Sequence, residues 1–277
     1  MIEFRPMTKD DIGAGLTLCR SAGWNQLAFD WKLFLENKPG GAIVASEEGK
    51  VTGTVATIDY DDHFSWIGMV LVDPEKKRQG IGTQLLKQAL SVLHRQQTVK
   101  LDATPAGREV YLKLGFKDEY TLSRMSLHTI PTIPRTGSAR MTGADFDKVF
   151  LNDKKVFGAD RKSLLKALYH EYPDHAFVEY QDDSIAAYSF GRRGYLFTQV
   201  GPVVADNITH AVRVTTTALN ALNGPVVIDV MDGSAFQQWL VSIGFVEQRK
   251  LIRMYQGDNR YPGEPQRQFA ILGPEFG

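Results

Sequence analysis

The chain repeats itself. Met7-Thr8 returns as Met141-Thr142, 134 residues further on, and at that same offset Asp11 meets Asp145, Pro39 meets Pro173, Ala42 meets Ala176, Val44 meets Val178 and Val51 meets Ile185. Near the end of each copy comes Gly-Phe, followed eight residues beyond the Phe by Arg-Met: Gly115-Phe116…Arg124-Met125 and Gly244-Phe245…Arg253-Met254. An ungapped series with a shared ending predicts two copies of one fold. Length agrees, because 277 residues exceed one ordinary domain core and suit two. The copies are expected at residues 1–128 and 140–277, with a linker at 129–139 in which Pro131 and Pro134 favour extended backbone.

Within the first copy a short strand, Ile2–Arg5, leads into two helical stretches that carry Leu16, Leu27, Leu33 and Phe34 as apolar positions. The β-rich runs Ala42–Ser46 and Val51–Tyr60 flank Glu48-Gly49-Lys50, a hairpin signal. A near-continuous apolar strand, Ile67–Val72, precedes a helix from Gly82 to His94 with Leu85, Leu86, Ala89, Leu90 and Leu93 on one face. Val99–Ala103 is the next strand, Gly107–Leu114 a short helix stopped by Gly115, and Tyr120–His128 the last strand. The fold class is therefore α/β (α+β): a mixed sheet with helices on both faces, repeated once.

Composition narrows the function. Hydrophobic residues make up 43% and charged residues 23%, as in a folded globular chain. Thirty-two Lys plus Arg balance 32 Asp plus Glu, so no overall field draws the chain to nucleic acid or an anionic membrane. No apolar run approaches the roughly 20 residues needed to span a bilayer, and Met1–Pro6 lack the features of a signal peptide. One cysteine, Cys19, allows neither an internal disulfide nor a thiolate metal cage. His170-Glu171…His175 is interrupted by Pro173, so no metal is expected, and a cytoplasmic location is.

The sharpest local signal is Val72-Asp73-Pro74-Glu75-Lys76-Lys77-Arg78-Gln79-Gly80-Ile81-Gly82-Thr83, set between a strand and a helix. Two glycines let a ligand approach the backbone, and the helix start offers unpaired N–H groups to an anion such as a pyrophosphate. It is neither a Walker loop, having no Gly-Lys-Ser/Thr, nor a dinucleotide loop, having no third glycine.

The pattern Val-x-Pro-(x)5-Gly-x-Gly-Thr, in this element order, resembles the acyl-CoA signature of the GNAT superfamily of N-acetyltransferases, and the resemblance extends over the whole chain as two tandem GNAT-like domains. It implies acetyl-CoA as co-substrate, with its pyrophosphate on the amides of Arg78, Gln79, Gly80, Ile81, Gly82 and Thr83. Val70, Leu71 and Val72 would pair with the pantetheine like an added strand. Lys77 stands where the family prefers Arg or Gln, and Thr104 is a further implied contact, beside Asp102.

Acetyl transfer to an amine requires a polarised carbonyl, an uncharged amine and a proton for the departing thiolate. A backbone N–H near Val70 suits the first. Tyr111, in Val110-Tyr111-Leu112-Lys113-Leu114-Gly115-Phe116, lies where the similar GNAT pattern places the general acid. No base is assigned; Asp59, Asp61, Asp62 and His63 read as turn residues near the acceptor's entrance.

The second copy has lost this apparatus. Gly68 to Asp102 spans 34 positions but Gly201 to Asp229 only 28, and Asp206-Asn207-Ile208-Thr209-His210 enters the helix with no Gly-x-Gly. Leu240 stands where Tyr111 does. A non-catalytic copy is expected. Asp160, Arg161 and Arg192 have two readings, an acceptor pocket between the halves or a surface ion pair. Trp24, Trp31 and Phe34 likewise read as acceptor-pocket lining or as core. The expected activity is an N-acetyltransferase acting on a small-molecule or peptide amine, as a monomer or homodimer; the alternative is an acyl-CoA-binding regulatory module without turnover.

Overall fold

The residues that recur along the chain are those that lock the start of each copy. The Met7 N–H donates to the Ala42 carbonyl at 2.8 Å, and the Met141 N–H to the Ala176 carbonyl at 2.9 Å. Asp11 accepts from the Thr8 N–H at 2.8 Å and Asp145 from the Thr142 N–H at 2.7 Å, which satisfies a donor at the turn into the first helix of each copy.

The computed structural model describes all 277 residues. The N-terminal half runs β1 (Ile2–Pro6), α1 (Ile12–Ser21), α2 (Ala28–Asn37), β2 (Ile43–Glu47), β3 (Lys50–Tyr60), β4 (Phe64–Val72), α3 (Ile81–Val92), β5 (Thr98–Ala103), α4 (Pro105–Lys113) and β6 (Lys117–Leu127). The C-terminal half runs β7 (Ala139–Arg140), α5 (Phe146–Phe157), α6 (Lys162–Glu171), β8 (Phe177–Gln181), β9 (Ser184–Arg192), β10 (Thr198–Ala205), α7 (Ile208–Asn220), β11 (Val226–Met231), α8 (Ala235–Ser242) and β12 (Val246–Gly257), then adds β13 (Gln268–Ala270).

One 13-stranded sheet passes through both halves in the order β1-β2-β3-β4-β5-β12-β6-β11-β10-β9-β8-β7, with β13 beside β10. The final strands are exchanged. β12 lies between β5 and β6, and β6 lies between β12 and β11. The two pair antiparallel, and each carries one extra residue, Glu119 and Gln248, at related points of the ladder. The repeated Arg of Arg-Met fastens the exchange: Arg253 forks onto Asp102 at 2.9 and 2.8 Å, and Arg124 onto Asp229 at 2.7 and 2.7 Å. Each arginine thus reaches the other copy's aspartate, and all four charged groups are buried.

On one face, α1, α2, α5 and α6 share a single core that joins Trp31, Phe34 and Trp66 of the first half to Phe150, Phe157 and Phe190 of the second. The opposite face is covered in two places, by α3 and α4 over the N-terminal strands and by α7 and α8 over the C-terminal ones. Residues 271–277 thread through the middle. Tyr60 donates to the Phe276 carbonyl at 2.7 Å, Trp66 Nε1 to the Pro274 carbonyl at 2.9 Å, and Phe276 stacks on Phe34. Gly68 admits this segment, since a Cβ there would lie 2.8 Å from the Glu275 carbonyl oxygen. No helix is long and apolar enough to cross a membrane.

Candidate active site

A parallel pair that stops pairing opens a cleft. β4 and β5 are in register only at Ser65↔Val99 and Trp66↔Lys100 and then diverge. A cavity of about 390 Å³ fills the divergence, a size that suits a small-molecule site. Beside it β4 is bulged: its register passes from Thr54↔Leu71 to Ala56↔Gly68, and Met69 takes a left-handed φ of 55°. A bulge takes a residue out of the ladder and re-aims its neighbours, and here Met69 and Val70 face the cavity.

The loop after β4 is shaped by its own side chains. Asp73 accepts from the Glu75 N–H at 3.0 Å, and Arg78 and Gly80 turn left-handed with φ of 63° and 79°. α3 then starts at Ile81 with Gly80 as its cap, and no side chain bonds its first amides. Those amides and the helix dipole make an anion site. A Cβ on Gly82 would meet nothing nearer than Val72 at 3.5 Å, so the protein leaves the space above this turn open.

Of the sequence-predicted residues, Val70, Val72, Lys77, Arg78, Gly80, Ile81, Gly82, Thr83, Thr104 and Tyr111 line this one cavity. Leu71 and Gln79 do not: Leu71 belongs to the helical core and is 5% exposed, and Gln79 is exposed. The Thr104 hydroxyl accepts from the Gly107 N–H at 3.1 Å and caps α4. Asp102 reaches the cavity wall, with its carboxylate committed to Arg253. Tyr111 packs edge-on to Phe116 and is 9% exposed, and burial pushes its phenol up to about 12. Gly107 makes room for the ring, which lies 3.1 Å from where its Cβ would be.

Several candidates go elsewhere. Asp59 is bound by Lys38 and Ser65, Asp61 by Lys154, and His63 stacks on Tyr261 with Nδ1 2.9 Å from the Gly158 carbonyl; neither they nor Asp62 reach the cavity. Trp31 and Phe34 are core, while Trp24 lines the cavity. Cys19 is core, and burial pushes its thiol up to about 12. Of the two readings of Arg161 and Arg192, the surface ion pair is corrected, since both are 2% exposed. Arg161 forks onto Asp153 at 2.8 and 3.0 Å, and Arg192 bridges Asp30 and Glu275. Neither they nor Asp160 line the cavity.

Part of the cavity lining comes from segments remote from the loop. Gln26, Arg124, Arg249, Leu251, Pro274 and Glu275 line the cavity together with Trp24. Trp24 is the one acceptor-pocket candidate among them, and Arg124 carried a signal as part of the repeat.

The second half starts the same cleft and closes it. β10 and β11 are in register at Thr198↔Val226 and Gln199↔Val227 and then part. β13 lies in the gap, pairing Val203↔Ala270 and Val204↔Gln268, and Ile271 N–H donates to the Asp229 carbonyl at 3.0 Å. A Cβ on Gly201 would sit 2.0 Å from the Ile271 carbonyl oxygen. The α7 start is capped by Asn207, whose side chain accepts from the His210 N–H at 3.1 Å. Leu240 is buried at the place of Tyr111.

This is the architecture of an acyltransferase with one open cleft. Family models identify it: the acetyltransferase (GNAT) family model matches residues 11–116, and the acetyltransferase (GNAT) domain model matches residues 149–270. The chain belongs to the GNAT acetyltransferases, with a GNAT unit in each half. It is 22% identical over 247 residues to the uncharacterized N-acetyltransferase YitH of Bacillus subtilis, covering 88% of this chain and 87% of that one. It is 26% identical over 258 residues to the holothin acyltransferase of a Pseudoalteromonas species, covering 92% and 87%. A Pyrococcus horikoshii protein assigned as an acetyltransferase shares the fold at a TM-score of 0.82 and 23% identity, covering 100% and 96%. A tandem GNAT protein from the clavulanic acid biosynthesis pathway also shares the fold, at a TM-score of 0.63 and 15% identity, covering 92% and 98%.

Proposed function

We propose that the protein transfers an acetyl group from acetyl-CoA to an amine in the N-terminal cleft alone. The observation that carries this is the contrast between the clefts: one has an uncapped helix start, a bulged strand and a tyrosine, and the other is filled by its own chain. The amides of Arg78 to Thr83 hold the pyrophosphate, with Lys77 and Arg78 adding positive charge. The backbone at Met69-Val70 faces the thioester carbonyl and stabilises the charge that develops on its oxygen.

The neutral amine attacks the carbonyl carbon. A C–N bond forms, the C–S bond breaks, the nitrogen gives its proton to solvent, and the Tyr111 hydroxyl donates a proton to the departing sulfur. A phenol raised to about 12 is fully protonated at neutral pH. The same desolvation raises the thiolate, so the proton passes between two groups displaced in one direction.

Calorimetric titration with acetyl-CoA tests the reading. One site per chain, lost in Gly82→Trp, supports it; two sites, or a site that survives the substitution, overturns it. Release of CoA thiol across an amine panel then reports turnover.

A further inference from the structure

We propose that the acceptor is an amino-carboxylate, whose carboxylate is held by Arg249 with Arg124 in the cleft. This rests on the N-terminal cleft being the acetyl-transfer site and names the acceptor class it takes.

Arg124 and Arg249 are direct register partners on β6 and β12, and both line the cavity. Like charges placed opposite one another across a ladder are destabilising. Arg124 is neutralised by Asp229 through Nε and Nη2, while its Nη1 donates to no protein group. Arg249 makes no ion pair, and its Nε is buried without a partner. Burial, and next the charge of Arg124, lower its guanidinium to about 10, which leaves it charged at neutral pH.

The protein contains its own control for this position. By the repeat, Arg253 is the counterpart of Arg124 and Tyr120 the counterpart of Arg249. Arg253 and Tyr120 are again register partners, and there the clash is absent: Arg253 Nη1 donates to the Tyr120 hydroxyl at 2.7 Å. That pair is closed on itself, and Tyr120 does not line the cavity. The ladder therefore accommodates a neutral acceptor at this place. It carries an arginine only where the place opens on the cleft.

Two guanidinium groups with free N–H donors on one cavity wall match a planar anion with two oxygens. The cavity also has a carboxylate. Glu275 lines the cavity and shares Arg192 with Asp30, so two carboxylates face one arginine, and Glu275 Oε2 has no hydrogen-bond partner. Arg249, which has no ion pair, and Glu275, which has an unpartnered oxygen, thus line one cavity, and that suits a ligand bearing both an amine and a carboxylate.

The test uses full-length protein whose acetyl-CoA binding is first measured by calorimetry, so that failure of the cleft assignment is seen separately. Amino acids and their carboxamides are then compared as matched pairs, by CoA thiol release and by quenching of tryptophan fluorescence in the CoA-loaded protein. At least one acid is expected to bind and react, with its carboxamide about 100-fold lower in kcat/KM, because a site built for a charged partner rejects the analogue that lacks it. Arg249→Gln is expected to lower kcat/KM for the acid about 30-fold, mostly through KM, and still to bind acetyl-CoA. Arg249→Lys should recover part of the loss. Equal use of acid and carboxamide, an unchanged preference in Arg249→Gln, or no acid that binds and reacts while acetyl-CoA still binds, overturns the proposal.

Discussion

The two clefts of this protein begin alike and end differently. Each opens where a parallel pair separates after two registered positions. In the first half the gap stays open beside a bulged β4 and an uncapped α3. In the second, β13 takes the gap and Asn207 caps the helix. The physical lesson concerns backbone polar groups, which must be paired once buried. A cleft between splayed strands leaves strand edges that a ligand, water or another strand has to satisfy. The second half uses its own chain for that purpose, so it has no need of a ligand in the gap.

The comparison can be broken or sharpened by substitution. The largest effect is expected where the halves depend on each other. Arg253→Met leaves Asp102 buried and uncompensated, at a cost of roughly 3–5 kcal/mol, read by chemical denaturation; Arg253→Met with Asp102→Leu should restore most of it. Gly82→Trp fills the open cleft and should weaken acetyl-CoA binding about 1000-fold in calorimetry, since a bulky ring in the cradle is a direct clash. Tyr111→Phe should lower kcat about 100-fold with acetyl-CoA affinity retained, and unchanged turnover would remove Tyr111 from the chemistry.

Smaller effects separate the halves further. Asn207→Ala removes the cap of α7 and should cost about 1 kcal/mol of stability, with acetyl-CoA binding unaltered. Alkaline pH gives the finest contrast. The Tyr111 phenol is raised to about 12 in the folded protein, so its contribution is fully present below the unfolded value near 10 and is lost as pH rises toward 12. Relative to Tyr111→Phe, the wild type should lose about 1 kcal/mol between pH 9 and pH 10.5. Leu240, at the same place in the second half, brings no such dependence.

The parts of the site legible in the sequence were those with short-range causes. A strand, two glycines and a helix start specify an anion cradle within a dozen residues, and Tyr111 sits at a fixed distance before Gly115-Phe116. The strand exchange was not legible for a reason of symmetry. β6 and β12 carry the same Gly-Phe…Arg-Met signature, so either can complete either ladder, and no local pattern says which arginine meets which aspartate. Arg161 and Arg192 fit neither of their two readings, acceptor pocket or surface ion pair, because both are buried in ion pairs away from the cavity. Their partners lie far off in sequence: Arg192 reaches Asp30 and Glu275. Glu275 and Arg249 enter the site only through the threading of residues 271–277 and through the bulge at Gln248, neither of which has a one-dimensional signature.

The exchange of final strands also sets a timetable. β5 waits for β12, since Ala103 pairs with Ile252 and Thr98 with Gly257. At a synthesis rate of about 5–20 residues per second, the wall of the cleft that bears Arg249 is delivered only near the end of translation. Until then β5 and β6 present open edges that any β12 can fill. Two nascent chains on neighbouring ribosomes can therefore compete to supply this strand, and a chain's own β12 has the advantage of being tethered to the edge it fills.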